Sequence, residues 1–271
     1  MRRKRAWLLP VLGALACAAP AERASGPGSA LPLRSYFRDL RTVQMRIGAD
    51  TLELLFDTGA GITALTPAAA TRIGCTPRGR DIGHRMTGEA VTFQRCDSVT
   101  LSWSGGASHL ASIGVFDLAA VLPPELPALD GIVGLDVFRG RRVVIDWPAH
   151  RIQVDAMPSP EAAELPVRVA TGESGRALSV FVRSHGPRGD VWLLLDSGNL
   201  RGLLLAPSVL TDSLLDSASP TEVWVRWDAA RRHRLPFTRA ELIVDGALGT
   251  DFLQRGPVAL DLRAVPADGA T

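Results

Sequence analysis

An acid placed at the end of a buried strand constrains this chain more than any other feature. Leu52–Leu65 reads LELLFDTGAGITAL, alternating apolar residues that run into Asp57-Thr58-Gly59 and out again into a second apolar run. Asp is depleted in strands, and a carboxylate among apolar neighbours is costly to desolvate. The placement therefore demands a structural partner or a chemical purpose. The same pattern returns at Val191–Leu205, VWLLLDSGNLRGLLL, with its acid at Asp196. Taken alone, Asp-Thr-Gly and Asp-Ser-Gly are turn formers; set between strands, twice, they become candidate sites.

Each triplet is followed by a second block, Gly131–Trp147 (GIVGLDVFRGRRVVIDW) and Gly246–Leu262 (GALGTDFLQRGPVALDL). Laid side by side without gaps, the blocks agree at Gly131/Gly246, Gly134/Gly249, Asp136/Asp251, Val143/Val258 and Asp146/Asp261, the signature of an internal duplication. On these four ordered motifs the chain resembles the aspartic peptidases, above all the bacterial retropepsin-like proteins. The resemblance covers nearly everything after residue 40. It implies a mainly β, two-lobed acid-protease (pepsin/retropepsin-like) barrel fold with short helices and a pseudo-twofold internal duplication. It further implies that Ile132-Val133-Gly134 and Ala247-Leu248-Gly249 pack beside the acid-bearing loop of their own lobe.

From its start, the chain has a secretory pattern: Met1-Arg2-Arg3-Lys4-Arg5 precedes an apolar run, Ala6–Ala16, too short to span a bilayer as a mature helix. Residues 1–17 are expected to be a signal peptide. Cys17 after Ala14-Leu15-Ala16 leaves two outcomes open, lipidation of that cysteine or plain cleavage nearby. The Ala-, Gly-, Pro- and Ser-rich residues 18–31 read as a flexible tether. The protein is expected to be exported to the periplasm or cell envelope, touching the membrane only through such an N-terminal lipid anchor. The other two cysteines, Cys75 and Cys96, would then face an oxidising compartment. A disulfide between them is expected, the alternative being two buried thiols.

The remaining chain is 46% hydrophobic over the whole sequence, ample for a core. The formal charge is only +2 with scattered arginines, which gives no reason to expect a nucleic-acid partner. No Gly-rich phosphate loop, metal-spaced His cluster or Ser/His/Asp signature stands out, so no metal or cofactor is expected. Residues 32–157 are read as an N-terminal lobe and 158–266 as a C-terminal lobe, parted at Pro158-Ser159-Pro160.

In the first lobe Val43, Met45 and Ile47 alternate, Gly48-Ala49-Asp50 turns the chain, and Leu52, Leu54 and Phe56 lead to Asp57. Thr66-Pro67 opens a short helix that ends at Gly74, with Thr66 as N-cap. Residues 80–103 alternate around Thr87-Gly88 as a projecting hairpin. The second lobe repeats the plan through Leu178, Val180 and Val182, then Val191, Leu193 and Leu195 before Asp196, with another short helix expected over Pro207–Leu215. Asp57 to Gly131 is 74 residues but Asp196 to Gly246 only 50, so the second half lacks 24, about one long hairpin. The resemblance implies a flap over the cleft, and a single flap from the first lobe follows, with Arg85, Met86, Thr87 and Gly88 at its tip. The chain's one tyrosine, Tyr36, lies far from that tip, so the flap tyrosine of pepsin-like enzymes has no counterpart.

The resemblance implies that Asp57 and Asp196 meet at the lobe junction and share a proton, since aspartic proteases are a standard illustration of two carboxylates too close to ionise together. One would act as base on a water while the other donates to the scissile carbonyl of a polypeptide substrate, with no covalent intermediate. Gly59 and Gly198 would let backbone N–H groups approach the carboxylates. Thr58 and Ser197 would hydrogen-bond across the junction. Ala60 lacks the hydroxyl that pepsin-like sites often carry there, which predicts a raised, mildly acidic optimum. Asn199 and Arg201 depart from the family pattern. The Asn199 amide is a candidate donor to its own carboxylate, and Arg201 would lower the pair's pKa, bind substrate or point to solvent. The protein is expected to be a monomeric aspartic endopeptidase, the alternative being a weakly active or inactive peptide-binding envelope protein on the same fold.

Overall fold

The computed structural model describes residues 29–120, 122, 124–160, 162–172, 174–186, 188–210, 215–216, 219–227 and 231–265. The expected signal peptide, Cys17 and residues 18–28 of the tether lie outside them. Residues 29–31 of that tether are not free: Ser29–Pro32 forms a strand paired antiparallel with Arg151–Val154, because Leu31 supplies an apolar side chain that is 2% exposed.

The chain is mainly β. One eight-stranded sheet runs, in spatial order, Arg34–Ser35, Arg41–Ile47, Asp50–Phe56, Gly131–Val133, Ala64–Leu65, Gly106–Val115, Ala90–Trp103 and Arg78–His84. A second runs Val167–Ala170, Ser179–Gly186, Gly189–Leu195, Gly246–Leu248, Leu203–Leu205, Arg232–Arg239, Ser219–Arg226 and Leu215–Asp216. Position by position, the two sheets follow the same order of connection. A four-stranded sheet runs Ser29–Pro32, Arg151–Val154, Arg142–Asp146 and Val258–Asp261, so strands from both halves pair in it.

The expected hairpins form for the expected reason. Val43, Met45, Leu52, Leu54 and Phe56 are all buried to within 1% exposure, so the apolar face of the period-two pattern is the one that packs. Phe56, immediately before Asp57, packs edge-on to Phe138 with ring centroids 6.5 Å apart and lies 6.4 Å from Trp147, which fixes the strand end that carries the acid. Leu178, Val180, Leu195, Leu253 and Leu260 of the second half belong to the same core. The second half also has a core of its own, in which Val182, Leu193, Leu203, Val223 and Trp227 pack together.

In each lobe the glycine-block strand lies between the strand entering the acid loop and the strand leaving it. Gly131–Val133 runs parallel to Asp50–Phe56 and antiparallel to Ala64–Leu65, and Gly246–Leu248 does the same with Gly189–Leu195 and Leu203–Leu205. A Cβ on Gly131 would stand 2.2 Å from the Ala64 carbonyl oxygen and one on Gly246 2.4 Å from that of Leu204, so strands this close require glycine. The acid before each glycine adds a matched tie, Asp130 accepting from the Glu53 N–H at 2.9 Å and Asp245 from the Trp192 N–H at 2.8 Å.

Two sequence expectations need correction. The helix expected over Pro207–Leu215 is only a 3-10 turn, Pro207–Val209, before residues 211–214, which lie outside the described set. Pro67–Arg72 is helical because the Thr66 hydroxyl accepts from the Ala69 N–H at 3.2 Å, whereas Ala206 has no side-chain oxygen to cap with. Nor do the 24 missing residues make one hairpin. Arg78–Val115 spans 38 residues against 25 for Leu215–Arg239, while the connection 116–130 has 15 against six for 240–245.

Candidate active site

The structure brings Asp57 and Asp196 together at the junction of the two halves, each carboxyl group lying against the glycine of the other's loop. Each loop is set by the same contacts. The Asp57 N–H donates to the Val133 carbonyl at 3.0 Å and that of Asp196 to the Leu248 carbonyl at 3.0 Å, so the glycine-block strands position the acids. The Gly59 N–H donates to Asp57 Oδ1 at 2.9 Å and the Gly198 N–H to Asp196 Oδ1 at 3.0 Å. A Cβ on Gly59 would lie 2.6 Å from Asp196 Oδ1, and one on Gly198 2.6 Å from Asp57 Oδ2. Any larger residue would push the acids apart.

Four hydrogen bonds lock the two loops in register. The Thr58 N–H donates to Ser197 Oγ at 3.0 Å and the Ser197 N–H to Thr58 Oγ1 at 3.0 Å. Each hydroxyl then donates across the junction, Thr58 to the Leu195 carbonyl at 2.8 Å and Ser197 to the Phe56 carbonyl at 2.9 Å. Both side chains are fully buried, so these polar groups are satisfied only by one another's loops.

The electrostatics are unequal. Burial raises the Asp57 carboxyl above its usual range, against donors at Gly59 and across the pair. Asp196, 3% exposed, is raised well above it, first by burial and then by the charge of Asp57. Asp57 keeps part of its surface open. Raised in this way, the pair favours holding a proton at pH values where free carboxyl groups would be ionised.

Beyond the pair the loops differ. Thr63, six residues after Asp57, donates through N–H and Oγ1 to the two oxygens of the buried Asp136 at 2.8 and 2.7 Å, and the Gly134 N–H donates to Thr63 Oγ1 at 3.1 Å. The counterpart of Thr63 is Gly202. There Asn199 holds the loop, its amide donating to the Gly202 carbonyl at 2.7 Å while Oδ1 accepts from the Arg201 N–H at 2.8 Å. This corrects the expectation that the Asn199 amide serves the carboxylate: it is spent on its own turn. Arg201 is exposed. Ala60 contributes only its backbone, with N–H on the Asp57 carbonyl at 3.3 Å.

Arg85–Gly88 form the tip of the hairpin between Arg78–His84 and Ala90–Trp103, closed by the Gly88 N–H on the Arg85 carbonyl at 2.8 Å. The tip rests on the second lobe, where the Ile243 N–H donates to the Met86 carbonyl at 2.8 Å. At its root Asp81 accepts from Arg176, on the segment entering the second lobe, at 3.2 Å. Cys75 and Cys96 are joined by a disulfide, Cα to Cα 6.0 Å, that staples the end of the first helix to the flap-bearing strand. That bond points to an oxidising, exported compartment. Among the described residues no group of three or more His, Cys, Asp or Glu side chains could hold a metal ion.

Two contributors escaped the sequence reading. Asp136 had shown itself only as an aligned position, opposite Asp251. Ile243 carried no signal at all, since a backbone N–H has no sequence signature.

No family model and no curated protein matches the chain. Among solved structures it is similar to basic 7S globulin from soybean, at 10% identity and a TM-score of 0.54, over 88% of this chain and 93% of that one. That protein has the pepsin-like fold. The likeness concerns the fold alone: this chain, too, is pepsin-like in architecture.

Proposed function

We propose that the protein is an aspartic endopeptidase of the retropepsin-like or pepsin-like kind, exported to the periplasm or cell envelope and acting on polypeptides as a monomer. The observation that carries this reading is the placement of Asp57 and Asp196 on two cross-linked loops, each against the other's glycine, at the junction of the halves. The shared strand order and the aligned blocks support an origin by internal duplication.

In this reading a water lies between the carboxyl groups. The Asp57 carboxylate takes a proton from it as its oxygen attacks the scissile carbonyl carbon, and Asp196 gives its proton to the carbonyl oxygen. Collapse of the neutral gem-diol breaks the C–N bond: the proton gained by Asp57 passes to the leaving amine, and a diol hydroxyl returns its proton to Asp196 as the new carboxyl group forms, restoring the pair. The assignment of roles follows exposure, Asp57 being the more open of the two and Asp196 the more buried.

The second reading is a peptide-binding protein that turns substrate over slowly or not at all. It draws on the flap tip seated on the second lobe and on the Asn199 amide turned away from the carboxylates. One experiment separates the two. The purified protein should cleave unfolded polypeptides, and Asp57→Asn and Asp196→Asn should each lower the rate by about a thousandfold or more. Full activity in either variant would overturn the dyad.

A further inference from the structure

One hairpin occurs in both halves with the same buried face and a different exposed one. Val99-Thr100-Leu101-Ser102-Trp103 of the first half is matched by Val223-Trp224-Val225-Arg226-Trp227 of the second. Val99, Leu101 and Trp103 are buried, and so are Val223, Val225 and Trp227, so the odd-numbered residues build the interior in both places. The even-numbered residues, with those opposite them on the neighbouring strand, face outward. In the first half these are Thr100 opposite His109 and Ser102 opposite Ala107. In the second they are Trp224 opposite Arg234 and Arg226 opposite Arg232.

Four small or weakly basic side chains in one half thus give way to an indole and three guanidinium groups in the other. Trp224 is 40% exposed, and Arg232 stacks on it with the guanidinium carbon 4.7 Å from the ring centroid. Glu222, on the same face, pairs with Arg234 at 2.7 Å, and the exposed Arg226 and Arg232 add two further positive charges. The excess is local. Residues 219–239 hold five Arg against one Glu and one Asp, whereas residues 29–271 as a whole hold 25 Lys and Arg against 27 Asp and Glu. A general richness in arginine therefore does not account for it.

We infer that the outer face of Ser219–Arg226 and Arg232–Arg239 docks on a membrane surface that carries anionic phospholipid, with Trp224 at the level of the headgroups and Arg226, Arg232 and Arg234 on their phosphates. An indole has an apolar body and a polar N–H, which suits it to the boundary between hydrocarbon and water. A guanidinium group meets phosphate oxygens two at a time, and each basic residue held near an anionic leaflet adds to the attraction. The outward side of a two-stranded ladder is a surface, which fits a bilayer better than a groove-bound linear chain. The hairpin lies beside Leu203–Leu205, on the side away from the glycine-block strand, so the docking face is separate from the acid-bearing loops. The inference does not rest on the endopeptidase reading, and it gives the folded part of the chain a membrane contact besides the N-terminal one expected from the sequence.

The test uses the full chain with Cys17→Ser, which removes the candidate lipidation site and leaves Cys75 and Cys96 in their disulfide. Pro236→Cys then gives a single labelling site on the outward face, opposite Glu222, and His109→Cys in a second protein gives one at the first-half counterpart of Arg234. A polarity-sensitive fluorophore at 236 should shift to the blue with phosphatidylcholine vesicles containing about one-third phosphatidylglycerol and stay unshifted with phosphatidylcholine alone. At 109 it should shift with neither. Arg226→Ser with Arg232→Ala should weaken the affinity read at 236 about tenfold or more, Trp224→Thr should weaken it severalfold, and about 0.5 M salt should abolish the arginine-dependent part. These substitutions install the residues that the matching hairpin of the first half already carries; if the double variant fails to fold, Trp224→Thr alone decides. An equal shift at 109, a shift that survives the substitutions, or no shift with the anionic vesicles would overturn the docking face. A shift with dextran sulfate and none with vesicles would assign the face to a linear polyanion and overturn the membrane inference. Failure of the protein to cleave polypeptides would overturn the endopeptidase reading and leave this one standing.

Discussion

The loops after Asp57 and Asp196 begin identically and then diverge. Both bind their own carboxylate through the glycine N–H, both cross-link through a hydroxyl, and both hang from a glycine-block strand. Six residues on, the first loop is tied to its own lobe by Thr63 and the buried Asp136, while the second is closed on itself by Asn199. Asp136 ties its loop to a neighbouring strand and turn through both oxygens, whereas the buried Asn199 amide bonds only within its own turn. The first lobe also has the capped helix, the disulfide and the long flap. It is the more heavily braced half, and the tip of its long hairpin rests on the second.

That contrast can be broken by experiment. The largest effect is expected from the disulfide, whose removal by Cys75→Ser with Cys96→Ser should cost about 3 kcal/mol in urea unfolding by loop-closure entropy. Cleavage at low temperature should survive it, since the bond lies away from the carboxyl pair. A cost near zero would remove the first lobe's claim to be the more heavily braced half.

Next comes the tie itself. Thr63→Val removes a donor from buried Asp136 and should cost about 2 kcal/mol. Placing a side chain at the matching position should not create a second tie: Gly202→Thr is strained at φ +72, and its Cβ would approach Asp251 Oδ2 to 3.0 Å, so it too should destabilise. Stabilisation by Gly202→Thr would mean the lobes are more alike than the structure indicates.

The carboxyl pair should reveal itself in the pH dependence of stability. Asp57 and Asp196 both titrate above the unfolded value of 3.8, so the folded state binds protons more tightly than the unfolded chain. Their contribution is complete below that value and is lost as pH rises through the raised folded pKa. Asp196→Asn should therefore gain thermal stability relative to wild type as pH climbs toward neutrality, by about 1 kcal/mol or more, and lose the advantage in acid. A pH-independent difference would remove the shared proton.

The smallest effect tests Ala60. Ala60→Ser adds a hydroxyl beside Asp57 and should move the acid limb of the pH–rate profile downward by about half a unit to one unit. An unmoved limb would show that the missing hydroxyl does not set the mildly acidic optimum expected for the wild type.

Much of this was legible in the residues. Period-two alternation located the hairpins feeding both acids, Thr66-Pro67 located the capped helix, and the glycine blocks located the strands between the arms of each loop. These features are local: a strand's buried face, a cap and a glycine where no Cβ fits all leave their mark within a few positions. The helix expected after Pro207 failed for the same local reason, because Ala206 offers no cap oxygen. The tether reading failed at Ser29–Pro32 because its strand partner, Arg151–Val154, lies far along the chain and supplies the reason for order there, and composition cannot report a partner.

The sequence by itself determined which two acids end matching apolar strands, which residues could bridge their loops, and that the second half is shorter. Only the tertiary structure decided how that shortening is divided between hairpins and connection, that Asn199 turns its amide to its own loop, and that the flap tip closes on Ile243. Side-chain identity specifies what a residue can donate, accept or bury. Which of those options is taken depends on groups brought near from distant segments, many of them backbone atoms that every residue shares.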